Sequence, residues 1–116
     1  MRAKRPRTSA PPIIRKEVLK RIGGEEAFLL ELLDLYSREF ALKTKAMEKA
    51  VRKADFKALR ELGHGLKGSS ANLSLPGLVA AALALETAAE AEDIAGARAA
   101  LDRLKDEFAR LKAYRG

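Results

Sequence analysis

The segment DFKALRELGHGLKGSSANLSLPGL, Asp55 to Leu78, decides the fold. Phe56, Leu59, Leu62, Leu66, Ser70 and Leu73 recur at three- and four-residue steps, the spacing of one face of an α-helix. Asp55 precedes the first apolar residue, where a carboxylate accepts from a free backbone N–H and caps the helix. LSLPGL breaks the pattern, and Pro76 has the fixed φ that suits the first turn of a new helix. Helix, short break, helix is the unit of an antiparallel bundle. Gly63, Gly65 and Gly68 stand inside the first of these helices, each at a cost of about 1 kcal/mol relative to alanine. Among them is His64, the single histidine of 116 residues.

The pattern extends in both directions. From Glu25 to about Ala54, Leu29, Leu32, Leu33, Tyr36, Phe40, Met47, Ala50 and Val51 predict a long helix. Phe28, Leu35 and Leu42 form a second stripe on it, expected to receive a short first helix. That short helix is read in IIRKEVLKRIGG, with Pro12 near its first turn and Gly23-Gly24 stopping it. Downstream, GLVAAALALETAAEAE predicts a helix with Leu78, Ala82, Leu85 and Ala89 inward. Asp93 is expected to cap the last helix, whose Ile94, Ala97, Leu101, Leu104, Phe108 and Leu111 alternate steps of three and four. No strand signal occurs. The fold class is therefore all-α: an antiparallel four-helix bundle with a short additional N-terminal helix.

The length suits one domain, divided into a basic flexible tail over residues 1–11 and the bundle over 12–116. Hydrophobic residues make up 47% and aromatics 5% of the chain, so the core is expected to be aliphatic with a few Phe. Cysteine is absent, which excludes disulfides and thiolate metal sites. One histidine with no converging carboxylates does not make a zinc site. No apolar run reaches the ~20 residues of a membrane helix, and no signal peptide is visible. A cytoplasmic setting without membrane association is the expectation. The net charge is +7. Arg2, Lys4, Arg5 and Arg7 carry much of it, and the plainest account of that segment is a disordered, solvated end.

A helix turns about 100° per residue, which places His64 off the Leu59–Leu62–Leu66 side and facing outward. Gly68, four residues on, lies beside it and leaves the ring open to another molecule. Lys67, three residues on, brings an ammonium within reach of whatever His64 carries and would offset the charge of a phosphoryl group. Gly63 and Gly65 fit close helix–helix packing in part. Ser69 and Ser70 are small enough to pack inward while bonding to backbone carbonyls.

These residues carry a resemblance. HGLKGSSANL resembles the signature of the histidine-containing phosphotransfer (HPt) domain: His, any residue, Leu, Lys, Gly, Ser, then an apolar position. IGGEEAFLLELLDLYSREF is similar to that family's first two helices and ADFKALRELGHGLKGSS to its approach to the histidine. The likeness spans roughly residues 12 to 113. It implies a four-helix bundle that carries a phosphoryl group on histidine. Carried over by motif, His64 is the phosphoacceptor, Lys67 the charge-stabilising lysine, Gly68 the access glycine and Ser69 the small polar residue after it. The family also implies an orienting Glu or Gln on the next helix, and Glu86 stands at that distance. Read from the residues alone, Glu86 begins the solvated acidic end of its helix with Glu90, Glu92 and Asp93; the resemblance implies instead that it accepts from Nδ1–H and leaves Nε2 to attack phosphorus. Two positions depart from the family: Gly63 replaces an alanine and Ser74 a glycine. Ser74 is expected to cap the following helix instead.

The implied function is that of a phosphocarrier needing a partner, not of a self-sufficient enzyme. The implied partners are a response-regulator receiver domain and a sensor or hybrid histidine kinase, with the chain itself a monomer. No cofactor is expected in this chain, and Mg²⁺ is expected on the receiver. Between Lys43 and Lys67 eight Lys and Arg face Glu48, Asp55 and Glu61, a sign complementary to an acidic receiver site. Ala71 and exposed parts of the first two helices are candidates for the docking patch. The rival reading is a basic helical module that binds nucleic acid or another anionic partner through its N-terminal tail. It gives no use to the His-x-x-Lys-Gly arrangement and is the less favoured one.

Overall fold

The computed structural model describes residues 10–115. Five helices follow in order: α1 (Arg15–Arg21), α2 (Glu26–Lys53), α3 (Phe56–Asn72), α4 (Pro76–Glu90) and α5 (Ile94–Arg115). Among the described residues there is no strand. Contacts run α2–α3, α3–α4, α4–α5 and back from α5 to α2, with α3 and α4 the most intimate pair. That closed ring of neighbours with short connections is an up-down-up-down bundle. No described helix is long and apolar enough to cross a membrane.

The core is the expected one. Leu29, Leu33, Met47, Leu59, Leu66, Leu78, Leu85 and Leu104 are all essentially inaccessible. Three of the few aromatics gather between α2 and α5, with Phe40 and Phe108 stacked at 4.1 Å between centroids and Tyr36 tilted against both. The Tyr36 hydroxyl bonds Ser70 Oγ at 2.7 Å, which crosslinks α2 to α3 inside the core. Burial pushes the Tyr36 phenol far above its ordinary range, so it stays neutral.

The three tight connections of the bundle share one device. α2 ends with Ala54 N–H on Val51 O and Asp55 N–H on Ala50 O. α3 ends with Ser74 N–H on Ala71 O and Leu75 N–H on Ser70 O, and α4 with Glu92 N–H on Ala89 O and Asp93 N–H on Ala88 O. These paired bonds form a Schellman motif, which needs one residue in the left-handed conformation. Ala54, Ser74 and Glu92 supply it, with φ of 53°, 57° and 53°. Two of the motifs pass directly into a cap: Asp55 accepts from Ala58 N–H and Asp93 from Gly96 N–H.

Three expectations are corrected. Ser74 does not cap α4; it occupies the left-handed position that glycine fills in the family, and its hydroxyl accepts from Arg21 instead. Leu75 is the N-cap of α4, which has no side-chain cap. Its first turn faces Glu107 of α5, whose Oε1 would stand only 2.1 Å from a Cβ on Gly77, so the missing side chain makes room for that carboxylate. A negative charge there suits the N-terminal end of the helix dipole.

Pro12 does not lie in the first turn of α1, which begins three residues later. Ile14 N–H donates to Ser74 O and Ile13 is buried, so the chain before α1 is held extended against the α3–α4 turn. The stripe of Phe28, Leu35 and Leu42 does not receive α1 and remains exposed. α1 has only seven residues, and its last, Arg21, donates to Ala71 O, Asn72 O and Ser74 Oγ. These bonds satisfy carbonyls at the C-terminal end of α3 and tie the end of α1 to it. Gly23 and Gly24, both at positive φ, then turn the chain into α2. The basic tail read over residues 1–11 lies outside the described residues as far as residue 9. Ala10 is described, and its carbonyl accepts from Arg110 of α5.

Candidate functional site

α3 lies between α2 and α4 and turns its remaining side to solvent. Leu59, Leu66 and Ser70 are buried while the His64 side chain is 70% exposed, so the ring projects outward as the helical phase requires. His64 Nδ1 is 3.1 Å from Glu86 Oε2 on α4. Lys67 Nζ is 2.7 Å from the other oxygen, Oε1. One carboxylate therefore joins the imidazole and the ammonium, and its side chain is only 15% exposed.

Gly63 explains how Glu86 reaches both groups. A Cβ at position 63 would lie 3.2 Å from Ala82 O and 3.2 Å from Glu86 N, tighter than ordinary contact. Glycine lets the α4 backbone approach α3 at this level, and the carboxylate then extends along the surface to His64 and Lys67.

Lys67, and after it His64, holds the Glu86 carboxyl below the usual carboxylate range despite partial burial. An ionised carboxylate only accepts hydrogen bonds. In the neutral ring Nδ1 then carries the proton, which leaves the lone pair on Nε2. Among the described residues, nothing outside the local helix backbone and the two chain neighbours lies within 4 Å of where a Cβ on Gly68 would stand, so that flank of the ring is open.

The expected set of His64, Lys67, Gly68 and Glu86 is thus assembled at one place on α3 and α4. Ser69 faces the other flank. Its hydroxyl donates to Glu39 Oε2 at 2.7 Å and shares a longer contact with Gly65 O. Lys43 of α2 pairs with the same Glu39 oxygen at 3.0 Å. Sequence reasoning assigned no site role to Glu39 or Lys43; their i,i+4 spacing is visible in the sequence, but their place opposite Gly65 is not. It also left Lys67 with no partner, because the contact depends on how closely α4 approaches.

A family model described as the Hpt domain matches residues 31–114. The chain belongs to the Hpt domain family. The fold is similar to that of histidine-containing phosphotransfer protein B of Pseudomonas aeruginosa PAO1, with a TM-score of 0.79 and 26% identity over 87% of this chain and 88% of that one. No curated protein matches the chain. The Hpt match covers all four helices of the bundle in whole or part and leaves α1 outside it.

Proposed function

We propose that this Hpt domain is a phosphocarrier of a two-component phosphorelay. Family membership gives it a histidine phosphotransfer role in phosphorelays. The finer reading is that His64 accepts a phosphoryl group from a receiver aspartate or a kinase and passes it to a response-regulator receiver. The observation that carries it is an exposed imidazole with Nδ1 tied to ionised Glu86, which leaves Nε2 free beside the open flank of Gly68.

The Nε2 lone pair attacks phosphorus as the P–O bond to the donor's aspartate breaks, and the electron pair of that bond leaves with the carboxylate. The Nδ1 proton stays in place. The ring becomes a phosphorylated imidazolium, and Glu86 stabilises its positive charge. Lys67 lies next to that carboxylate and offsets charge on the phosphoryl oxygens as they approach. The return transfer reverses each step. Mg²⁺ belongs to the receiver in this account, and the chain supplies neither ATP site nor cofactor.

The roles of His64 and Lys67 are tested by incubating the chain with a phosphorylated receiver domain and Mg²⁺. Lys67→Ala is expected to slow labelling at least tenfold while the circular dichroism and melting curve of a helical bundle persist. Labelling at the wild-type rate would remove Lys67 from the mechanism.

A further inference from the structure

Gly65 is not needed for the contact between α3 and α4, which Gly63 makes. It stands on the α2 side of His64. Among the described residues, the side-chain atoms within 4 Å of a Cβ built there are Lys43 Nζ at 2.7 Å and Lys43 Cε at 4.0 Å. The missing side chain of the residue next to His64 thus makes room for an ammonium from α2. Lys43 is not a freely solvated lysine: its side chain is 28% exposed, close to the 30% of Lys67. Glu39 holds it at 3.0 Å, and Ser69 donates to the same Glu39 oxygen at 2.7 Å.

The two flanks of the histidine therefore match in chemistry. On the α4 side a carboxylate, Glu86, holds Lys67 and bonds a motif residue, His64. On the α2 side a carboxylate, Glu39, holds Lys43 and bonds a motif residue, Ser69. With neutral His64, each lysine is balanced by its own acid. A phosphoryl group adds close to two negative charges, more than the one ammonium of Lys67 offsets.

We infer that Lys43 is a second charge-compensating ammonium for the phosphoryl group on His64, admitted by Gly65 and positioned by Glu39 and Ser69. The inference rests on His64 being the phosphoacceptor. Lys43 makes and breaks no covalent bond. It contributes a positive field beside phosphorus, and Ser69 acts on it only through Glu39. An i,i+4 Glu–Lys pair serving helix stability alone would not require a glycine beneath the ammonium.

The test compares wild type, Lys43→Gln, Gly65→Ala and the control Arg98→Gln, an exposed arginine on α5. Each is incubated with phosphorylated receiver, and the phosphohistidine signal is followed by ³¹P NMR against pH. The groups around it are Lys67 and Arg60 on α3, Glu86 on α4, and Glu39 and Lys43 on α2. Lys43→Gln is expected to slow labelling roughly twofold to fivefold, the range for partly exposed charge pairs. It should also raise the pH at which the phosphoryl oxygens take up their proton.

Gly65→Ala should displace the ammonium and do the same while raising the melting temperature, since alanine favours helix. Slower transfer in a more stable protein separates this role from a structural one. Unchanged rates and midpoints in Lys43→Gln and Gly65→Ala overturn the inference, as does an equal effect from Arg98→Gln. If the wild type takes no label, the carrier reading falls and this inference falls with it.

Discussion

Glu86 shows how one side chain takes on two tasks. It is buried enough to be fixed, ionised because Lys67 and His64 adjoin it, and close enough to set the tautomer of the ring. Removing such an orienting group costs roughly 10- to 100-fold where comparable partners of histidine are measured. Glu86→Ala is therefore expected to slow His64 labelling by at least tenfold. Glu86→Gln, which keeps an acceptor oxygen, should lose less. A single-turnover assay with phosphorylated receiver distinguishes the two.

The same residue gives a pH dependence whose sign is fixed. Its folded carboxyl titrates below the ordinary value of 4.5, so its stabilisation is present above that pH and disappears as pH falls through the folded value. The difference in unfolding free energy between wild type and Glu86→Gln should shrink on acidification below pH 4.5 in denaturant titrations.

Gly68 makes an independent prediction. The space around it is open, so Gly68→Leu should fold at least as stably as wild type while blocking transfer. Melting curves and labelling together check it. These residues were legible before the structure because helical phase alone puts 64 and 68 on the outer face. Glu39 and Lys43 were not, since nothing in the sequence says which face of α2 meets α3.

Among the elements, the caps were the most readable feature. Asp55 and Asp93 precede apolar repeats and do cap α3 and α5. What escaped was the residue before each of them. Ala54 and Glu92 adopt a left-handed conformation that their side chains disfavour, because the Schellman bonds of α2 and α4 require it. A left-handed non-glycine residue costs about 1–2 kcal/mol, partly offset on mutation by the extra unfolded-state entropy of glycine. Ala54→Gly should therefore stabilise the bundle by about 0.5–1 kcal/mol in urea unfolding, with no effect on transfer.

Ser74 obeys the same rule, but its hydroxyl bond to Arg21 would be lost in a glycine variant, so its net change should be smaller. The placement of α1 was misread for a physical reason. α1 buries Val18 and packs Leu19 against the core instead of lying on that stripe, and hydrogen bonds from Arg21 tie its end to α3. The stripe of Phe28, Leu35 and Leu42 stays exposed on α2 as a result.

For the whole molecule, the bundle was legible because its four long helices carry clean three- and four-residue periods and short breaks, leaving few alternative arrangements. The closeness of α3 to α4 was not, since it depends on Gly63 and the alanines of α4 meeting in register. The distribution of charge also belongs to this scale. With a net charge of +7, association with an acidic receiver should weaken as salt rises. A chain lacking residues 1–9 should label at His64 as fast as the full chain. Loss of labelling on that deletion would favour the rival reading of a module that binds through its tail.

The central claim is that the phosphoryl group travels on His64. The most direct measurement incubates wild type and His64→Gln with phosphorylated receiver and Mg²⁺ and examines the bound phosphate. The account predicts an acid-labile, alkali-stable phosphate on the wild type alone. Label on both proteins, or on neither with any cognate receiver or kinase, would contradict it.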